Sequence, residues 1–527
     1  MDNKYIRAKS GYKLTVQVLP VLKPKKNTGT SIRVYTGMGL KDFIEETNIN
    51  EYNKRDFVTT VVKYFNDSTL KKVVGIQGLR GVGKTVGILQ ALCELNKYDK
   101  SAYVIVKDNT SIEDVESVVN ELTNEGIKYI CIDEITNAEG FAKRSGILYD
   151  SYAIRGIKIV LSGTDSLALV QAETYGLFHR IKMLNVGFIT YQEAKRTMGF
   201  TFEEYLKMGG LYEDVRFDDL NGLRHYIDTA VVQNIVNTVK KNVDLRMDII
   251  CKLTEDKIRT IVYCIFVSVI FDNLRVDRLV QTKRVVGLFD YKDEKKKQEA
   301  LDIISSQFGL VVNKNITEDE IKAVKLVLEE IGVLLKVKNY ADKEEKCYVT
   351  NQCISNVFFS QVYFLIQEQI GVNLKAEQKD VLFKSIDGEI LEAIVMTYIS
   401  KVIRHKNLQL FYLRNANNLE IDVIVSDLYR NKLFLAEVKK TGNVNTAVVK
   451  VKGLYSEDLD DIIGDSQILD KIIIYMGNTQ TFEKFTEVMK EDVTELQQIE
   501  NRCKGLKLVK AETFLANLNK ILKNLFE

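Results

Sequence analysis

Gly78 opens the stretch "GLRGVGKT", in which Arg80, Gly81, Gly83, Lys84 and Thr85 follow at the spacing of a phosphate loop. Glycines let backbone N–H groups curl around phosphate oxygens, and a helix starting at the loop adds favourable potential for an anion. A lysine at position 84 reaches the outer phosphates, and the hydroxyl of Thr85 joins the shell of Mg²⁺. A partner stretch, "YICIDE", ends an apolar run with Asp133 and Glu134, neighbours that point to opposite sides of a strand. Asp133 suits holding Mg²⁺ through water, and Glu134 suits orienting or deprotonating an attacking water. Further on, "IVLSGTDS" supplies Ser162 and Thr164. Either one meets the outer phosphate or the water, or else caps the helix that follows. ATP with Mg²⁺ is the cofactor pair these types predict, and hydrolysis is the chemistry.

A second set lies near the other end. "EIDVIV" carries Asp422, and "LFLAEVKK" carries Glu437 and Lys439, two apart and so on one face of a strand. Strict alternation puts Ile421, Val423 and Val425 on one face and Glu420, Asp422 and Ile424 on the other. Two carboxylates where the charged faces converge would hold a hard cation such as Mg²⁺, making Asp422 and Glu437 metal candidates beside Thr85 and Asp133. Lys439 would offset charge developing on a scissile phosphate, and "GEILEAI" offers a third acid, Glu389 or Glu392, from a helix. Two ordinary strands with charges on their wet face remain the plainer alternative.

These residues need elements to position them. "KKVVGIQG", "SAYVIVKD", "KYICIDE" and "IKIVLSGT" are β-branched runs separated by helical stretches, which predicts a parallel sheet covered on both faces. Longer helical periodicity follows across 198–290, then a helix, short strand, charged turn and strand over 318–352, the order of a winged helix. A helix at "DGEILEAIVMTYISKVI" and strands at 409–414, 419–426, 432–439 and 471–476 make a last unit. The expected fold is α/β and multidomain. Its parts are a lead-in over 1–50, a phosphate-loop ATPase core with a parallel sheet over 51–195, a helical lid over 196–290, a winged helix over 291–373 and a final α/β domain over 374–527.

A chain of 527 residues is too long for one core. With 46% apolar and 28% charged residues it reads as globular, and a formal charge of +2 confines nucleic-acid contact to local patches. Seven cysteines without a CxxC pair, and three histidines, leave no zinc set and fit a reducing cytoplasm. "TIVYCIFVSVIF" is too short to span a membrane, and "MDNKYIRAKSGYKL" lacks a signal-peptide core. The expected location is therefore cytoplasmic, with no membrane partner.

The arrangement resembles the AAA-type ATPases, in particular the prokaryotic group that continues into a winged helix and a C-terminal restriction-endonuclease-like domain. Beyond the phosphate loop and acidic strand, the resemblance is carried by "HRIKMLNVGFITYQEA", "FEEYLKMGGLYEDV" and "EKCYVTNQCISN". The first is similar to a segment in which an arginine precedes an apolar strand and an F-x-E turn. The resemblance implies that Arg180 is a finger or sensor for nucleotide, where the residues alone read a surface arginine at a strand start. A finger acting across subunits would imply a homo-oligomer. Asp422, Glu437 and Lys439 after a helical Glu392 resemble the PD-(D/E)xK nuclease core, here without a proline before Asp422.

The expected function is a Mg²⁺-dependent ATPase that gates a nuclease-like domain acting on nucleic acid, DNA more than RNA, in defence or mobile-element biology. A nucleotide-dependent scaffold with a protein partner, or a DNA-remodelling ATPase with an inert nuclease fold, are the alternatives. Convergence of Glu389 or Glu392 with Asp422 and Glu437 would favour the enzyme.

Overall fold

A computed structural model describes residues 32–49, 52–208, 210, 225–241, 249–272, 295, 316–352, 354–355, 376–404, 406–415, 419–440, 454, 457–476 and 507–526. Of the expected units, 1–31 of the lead-in, most of 273–315 and 356–375 lie outside these residues.

The first sheet is built from β1 (Ile32–Thr36), β2 (Val73–Gln77), β3 (Ser101–Val106), β5 (Tyr129–Asp133), β7 (Lys158–Ser162) and β8 (Ile181–Asn185); two two-residue strands, β4 (Thr110–Ser111) and β6 (Ala138–Glu139), pair with each other beside it. Its order is β1-β3-β5-β7-β2-β8. All neighbours run parallel except β1, which adds antiparallel to β3. Residues 32–49 of the expected lead-in thus supply an edge strand and the helix Gly37–Glu46 to this sheet. Strands β2 and β7 are buried along their whole length, as β-branched runs between helices require. Alternate residues feed two cores: Val74, Ile76, Tyr103, Cys131 and Val160 face one, while Val73, Val104, Ile130, Ile132 and Leu161 face the other.

Because β7 lies between β2 and β5, the loops leaving these three strands at their carboxyl ends meet at one edge, where open parallel sheets place ligands. The helix Lys84–Leu95 starts directly after the phosphate loop. In the expected lid, a π-helical turn over Ile227–Val232 runs into the helix Gln233–Lys241.

The second sheet joins segments assigned from sequence to two units. It holds β9 (Leu334–Asn339), β10 (Glu345–Val349), β11 (Leu408–Arg414), β12 (Glu420–Asp427), β13 (Lys432–Lys440), β14 (Gln467–Met476) and β15 (Lys507–Lys510), in the order β10-β9-β11-β12-β13-β14-β15. The helix Glu318–Glu330 and the β9–β10 hairpin do follow one another as a helix and wing would. The hairpin is nevertheless continuous with the last unit, since Phe411 and Tyr412 of β11 pair in parallel with Lys338 and Asn339. The 28-residue helix Ala376–Ile403 backs β11 and β13, and the helix Ala511–Phe526 backs β14 and β15.

Strict alternation fails at Asp422. The β11–β12 register runs Phe411↔Ile424 and then Leu413↔Ile421, so Tyr412 opposes two residues, Asp422 and Val423. Such a bulge re-aims the side chains around it. Ile421 and Ile424 accordingly share one core while Val423 and Val425 share the other, which corrects the face assignment made from period two alone.

Candidate nucleotide site and a second charged centre

The phosphate loop keeps its shape because of what its glycines avoid. Gly83 sits at φ 84°, a left-handed conformation that favours glycine, and starts the helix at Lys84. Gly78 passes so close to β8 that a Cβ there would stand 2.2 Å from the Val186 carbonyl oxygen. Lys84 is 7% exposed, and its Nζ donates to the carbonyls of Gly78 (2.6 Å) and Leu79 (2.9 Å). Burial pushes its ammonium down to about 8; the charges of Glu134 and Asp133 oppose the drop, and Arg80 adds to it.

Asp133 is held from four sides. Its Oδ2 accepts from the Thr85 hydroxyl (2.8 Å) and the Tyr103 hydroxyl (2.8 Å), and its Oδ1 accepts from the Ser162 hydroxyl and the Glu134 N–H (3.0 Å). Burial, with the Asp133 charge next in weight, raises Tyr103 well above the ordinary phenol range, so it remains a donor. The Thr85 hydroxyl and Asp133 carboxylate form an all-oxygen pair beside the loop, a donor set that fits Mg²⁺. Glu134 follows the end of β5, and its backbone at φ 57° is a left-handed position uncommon for a side-chain-bearing residue. Its Oε2 accepts from the Thr164 N–H (3.1 Å) and the Thr164 hydroxyl (2.9 Å). The two hydroxyls left open by sequence thus divide the work: Ser162 holds Asp133, and Thr164 holds Glu134.

Sequence reading missed Asn234. This buried side chain of the helix Gln233–Lys241 donates to the Thr164 carbonyl (2.7 Å) and accepts from the Ser166 N–H (3.2 Å). It therefore bridges the loop that orients Glu134. The π-helical turn just before it has no sequence signature comparable to a phosphate loop, so nothing local pointed here.

Arg180 stands elsewhere. Val73, the first residue of β2, pairs with Ile181, so Arg180 precedes β8 at the end of the sheet away from the loop. A five-residue strand separates the two ends, roughly 16 Å at ~3.3 Å per residue. Its half-exposed side chain pairs with Asp150 at 2.8 Å, beside the exposed Tyr175 and Phe178. Arg180 therefore does not join its own chain's nucleotide site.

Buried beneath the loop is a second pair that sequence reading did not single out. Arg55 is 5% exposed and reaches Glu193 through Nε (3.2 Å) and Nη2 (2.9 Å). Burial would raise the Glu193 carboxyl, but Arg55 and the backbone N–H groups of Asp56 and Thr190 more than offset it and hold it at about 2.

At the C-terminal centre, Asp422, Glu437 and Lys439 meet. The β12–β13 ladder runs from Asp427↔Lys432 to Val423↔Ala436, and just past that end Asp422 Oδ2 accepts from the Val438 N–H (2.8 Å). The Lys439 ammonium lies 2.8 Å from Asp422 and 2.5 Å from Glu437, which is fully buried. Burial would lower Lys439, yet the two carboxylates hold it above the ordinary lysine range. Glu392 is engaged by β10: Lys346 donates to it at 2.7 Å and the Tyr348 hydroxyl at 2.6 Å. Glu389 lies 3.8 Å from the same Lys346, whose charge is also sustained by Asp422. Among the described residues no group of three or more metal-binding side chains forms. Asp422 and Glu437, the metal candidates here, are bridged by a lysine, and Glu392 faces another.

Residues 70–195 match a family model described as an AAA domain, and residues 387–490 match one described as a domain of unknown function, DUF4143. No curated protein matches the chain. Among solved structures, it is similar to Hsp104 with ATPγS and FITC casein in a closed state (14% identity, TM-score 0.25, covering 57% of this chain and 52% of that one). It is also similar to Cdc6p from Pyrobaculum aerophilum (12%, TM-score 0.21, covering 60% and 96%) and C. elegans PCH-2 (12%, TM-score 0.22, covering 62% and 81%). The match spans about half the length of Hsp104.

Proposed function

We propose that the chain hydrolyses ATP through residues 70–195, the stretch that matches the AAA domain model. Among the described residues no helix is long and apolar enough to cross a membrane. Beyond this, we propose that the chain is a Mg²⁺-dependent ATPase coupled through its wing to a PD-(D/E)xK-like domain that acts on nucleic acid. The observation that carries the second half is Lys439 within 2.8 Å of Asp422 and 2.5 Å of Glu437, at the point where β12 and β13 stop pairing.

In the ATPase reaction, Lys84 would leave the carbonyls of Gly78 and Leu79 for the outer phosphates. Thr85 and Asp133 would hold Mg²⁺, which supplies neutralisation of phosphate charge when bound. Glu134, aimed by Thr164, would accept the proton of the attacking water. Arg180, with Tyr175 and Phe178 exposed beside it, would serve a neighbouring copy, so we propose a homo-oligomer.

A second reading has its own observation. Glu392 is bound by Lys346 and Tyr348, and no three acids converge among the described residues. That favours a catalytically inert module that binds nucleic acid or a protein partner. Incubation with linear, circular and single-stranded DNA or RNA, with Mg²⁺ or Mn²⁺ and with or without ATP, separates the two. Cleavage lost in Asp422→Ala supports the nuclease. Intact ATP turnover without cleavage on any substrate supports the binding module.

A further inference from the structure

Arg55 and Glu193 form a buried ion pair, with Nη2 2.9 Å from the carboxylate. Besides Glu193, Arg55 donates through Nη1 to the Val82 carbonyl (2.6 Å) and the Gly187 carbonyl (3.1 Å). Val82 lies inside the phosphate loop, and its carbonyl shares one planar peptide with the Gly83 N–H. Fixing the carbonyl therefore orients the N–H, one of the groups a phosphate loop turns toward its anion.

Glu193 anchors the other end. It forms a capping box with Thr190 at the start of the helix Tyr191–Met198, and it accepts from the Asp56 N–H (3.0 Å). The next N–H in that first turn, from Tyr191, donates to the hydroxyl of Tyr398. Tyr398 sits on the helix Ala376–Ile403, and its hydroxyl bonds that of Tyr205 (3.3 Å), which donates to the Ile189 carbonyl (2.8 Å). Lys401, one turn on, lies beside Gly187. The same helix carries Glu392, six residues or about 9 Å from Tyr398 at ~1.5 Å rise per residue.

We infer that Arg55 and Glu193 are positioning residues for ATP hydrolysis, and that the docking of the C-terminal helix through Tyr398 sets the phosphate loop through them. A continuous chain of contacts runs from Tyr398 through the 187–193 segment and Arg55 to Val82. Arginine is required for its geometry: one guanidinium meets a carboxylate with two nitrogens and two carbonyls with a third, which an ammonium cannot do.

The test uses the full chain with three variants: Arg55→Lys, Tyr398→Phe and both together. Each is measured for nucleotide Kd, for kcat and KM in ATP hydrolysis, and for melting with and without Mg·ADP. Arg55→Lys keeps the charge and loses the fork, and Kd should weaken about tenfold, the scale of a hydrogen bond to a charged group. Its nucleotide-induced rise in melting temperature should shrink, whereas a merely structural residue would lower the free protein's melting point and leave that rise intact. Tyr398→Phe should weaken kcat/KM about threefold, and the double variant should be no worse than Arg55→Lys alone. Wild-type Kd in a folded Arg55→Lys, or additive losses in the double variant, would overturn the inference. If Arg55→Lys gives no cooperative melt, Tyr398→Phe decides alone: unchanged Kd, kcat and KM refute the coupling.

Discussion

Nucleotide affinity should fall as pH rises through about 8, because the group that titrates there is Lys84 itself. The drop from an ordinary 10.5 to about 8 corresponds to about 3 kcal/mol against the charged form, with burial as the leading cause. Below pH 8 the ammonium is charged in the free protein and can pair with the outer phosphates. Above pH 8 it is neutral, and binding must first take up a proton. A bound polyphosphate raises the lysine again, so the cost appears only in the free state. Between pH 7 and pH 9 the charged fraction falls about tenfold, so Kd should rise about tenfold, or ~1.4 kcal/mol. Isothermal titration of Mg·ADP across this range, in buffers of differing ionisation enthalpy, reads both the affinity and the proton taken up. A Lys84→Arg variant keeps its charge throughout and should lose the pH dependence even though it binds more weakly. Replacing Glu134 with Gln removes the largest charge that raises Lys84, and should move the inflection below pH 8. A Kd that stays flat from pH 7 to pH 9, with no proton uptake, would refute the assignment.

Gly78→Ala should abolish nucleotide binding in a chain that still folds, since its Cβ would lie 2.2 Å from the Val186 carbonyl and the loop must shift to relieve it; equilibrium binding of a fluorescent ADP analogue checks this. Asn234→Leu should lower kcat about tenfold with Kd little changed, because it frees the Thr164 loop that aims Glu134; steady-state kinetics beside direct binding read the split. Lys346→Met combined with Tyr348→Phe should tighten Mn²⁺ binding at the C-terminal centre by about tenfold, since Glu392 and Glu389 lose the cation that offsets them; unchanged Mn²⁺ titration in the double variant would argue against that compensation.

The phosphate loop, the acidic strand and the β-runs of the first sheet were legible because each is set by a local backbone requirement. Gly78 and Gly83 answer to a close approach and a left-handed turn, and Asp133 ends a strand that must be apolar to be buried. What could not be read locally was which hydroxyl meets which acid. Ser162 reaches Asp133 because β7 lies beside β5, a consequence of sheet order, and Thr164 reaches Glu134 across the same boundary. Similarly, period two could not reveal the bulge at Tyr412 that re-aims Asp422. Nor did it reveal the parallel pairing of β9 with β11 that brings Lys346 to Glu392.

The two charged centres are built on opposite terms, and this bears on how they would respond to a cation. Asp133 accepts only from neutral donors, the hydroxyls of Thr85, Tyr103 and Ser162 and one N–H, so its charge is oriented without being neutralised by a hydrogen-bonded cation. A divalent ion there meets a carboxylate ready for it. At the C-terminal centre Lys439 and Lys346 already hold Asp422, Glu437 and Glu392 at ion-pair distance. A divalent ion on Asp422 and Glu437 would have to compete with the Lys439 ammonium for the same oxygens. Glu392 and Tyr398 lie on one helix, which thus carries both the acid held by Lys346 and Tyr348 and the hydroxyl that meets the Tyr191 N–H.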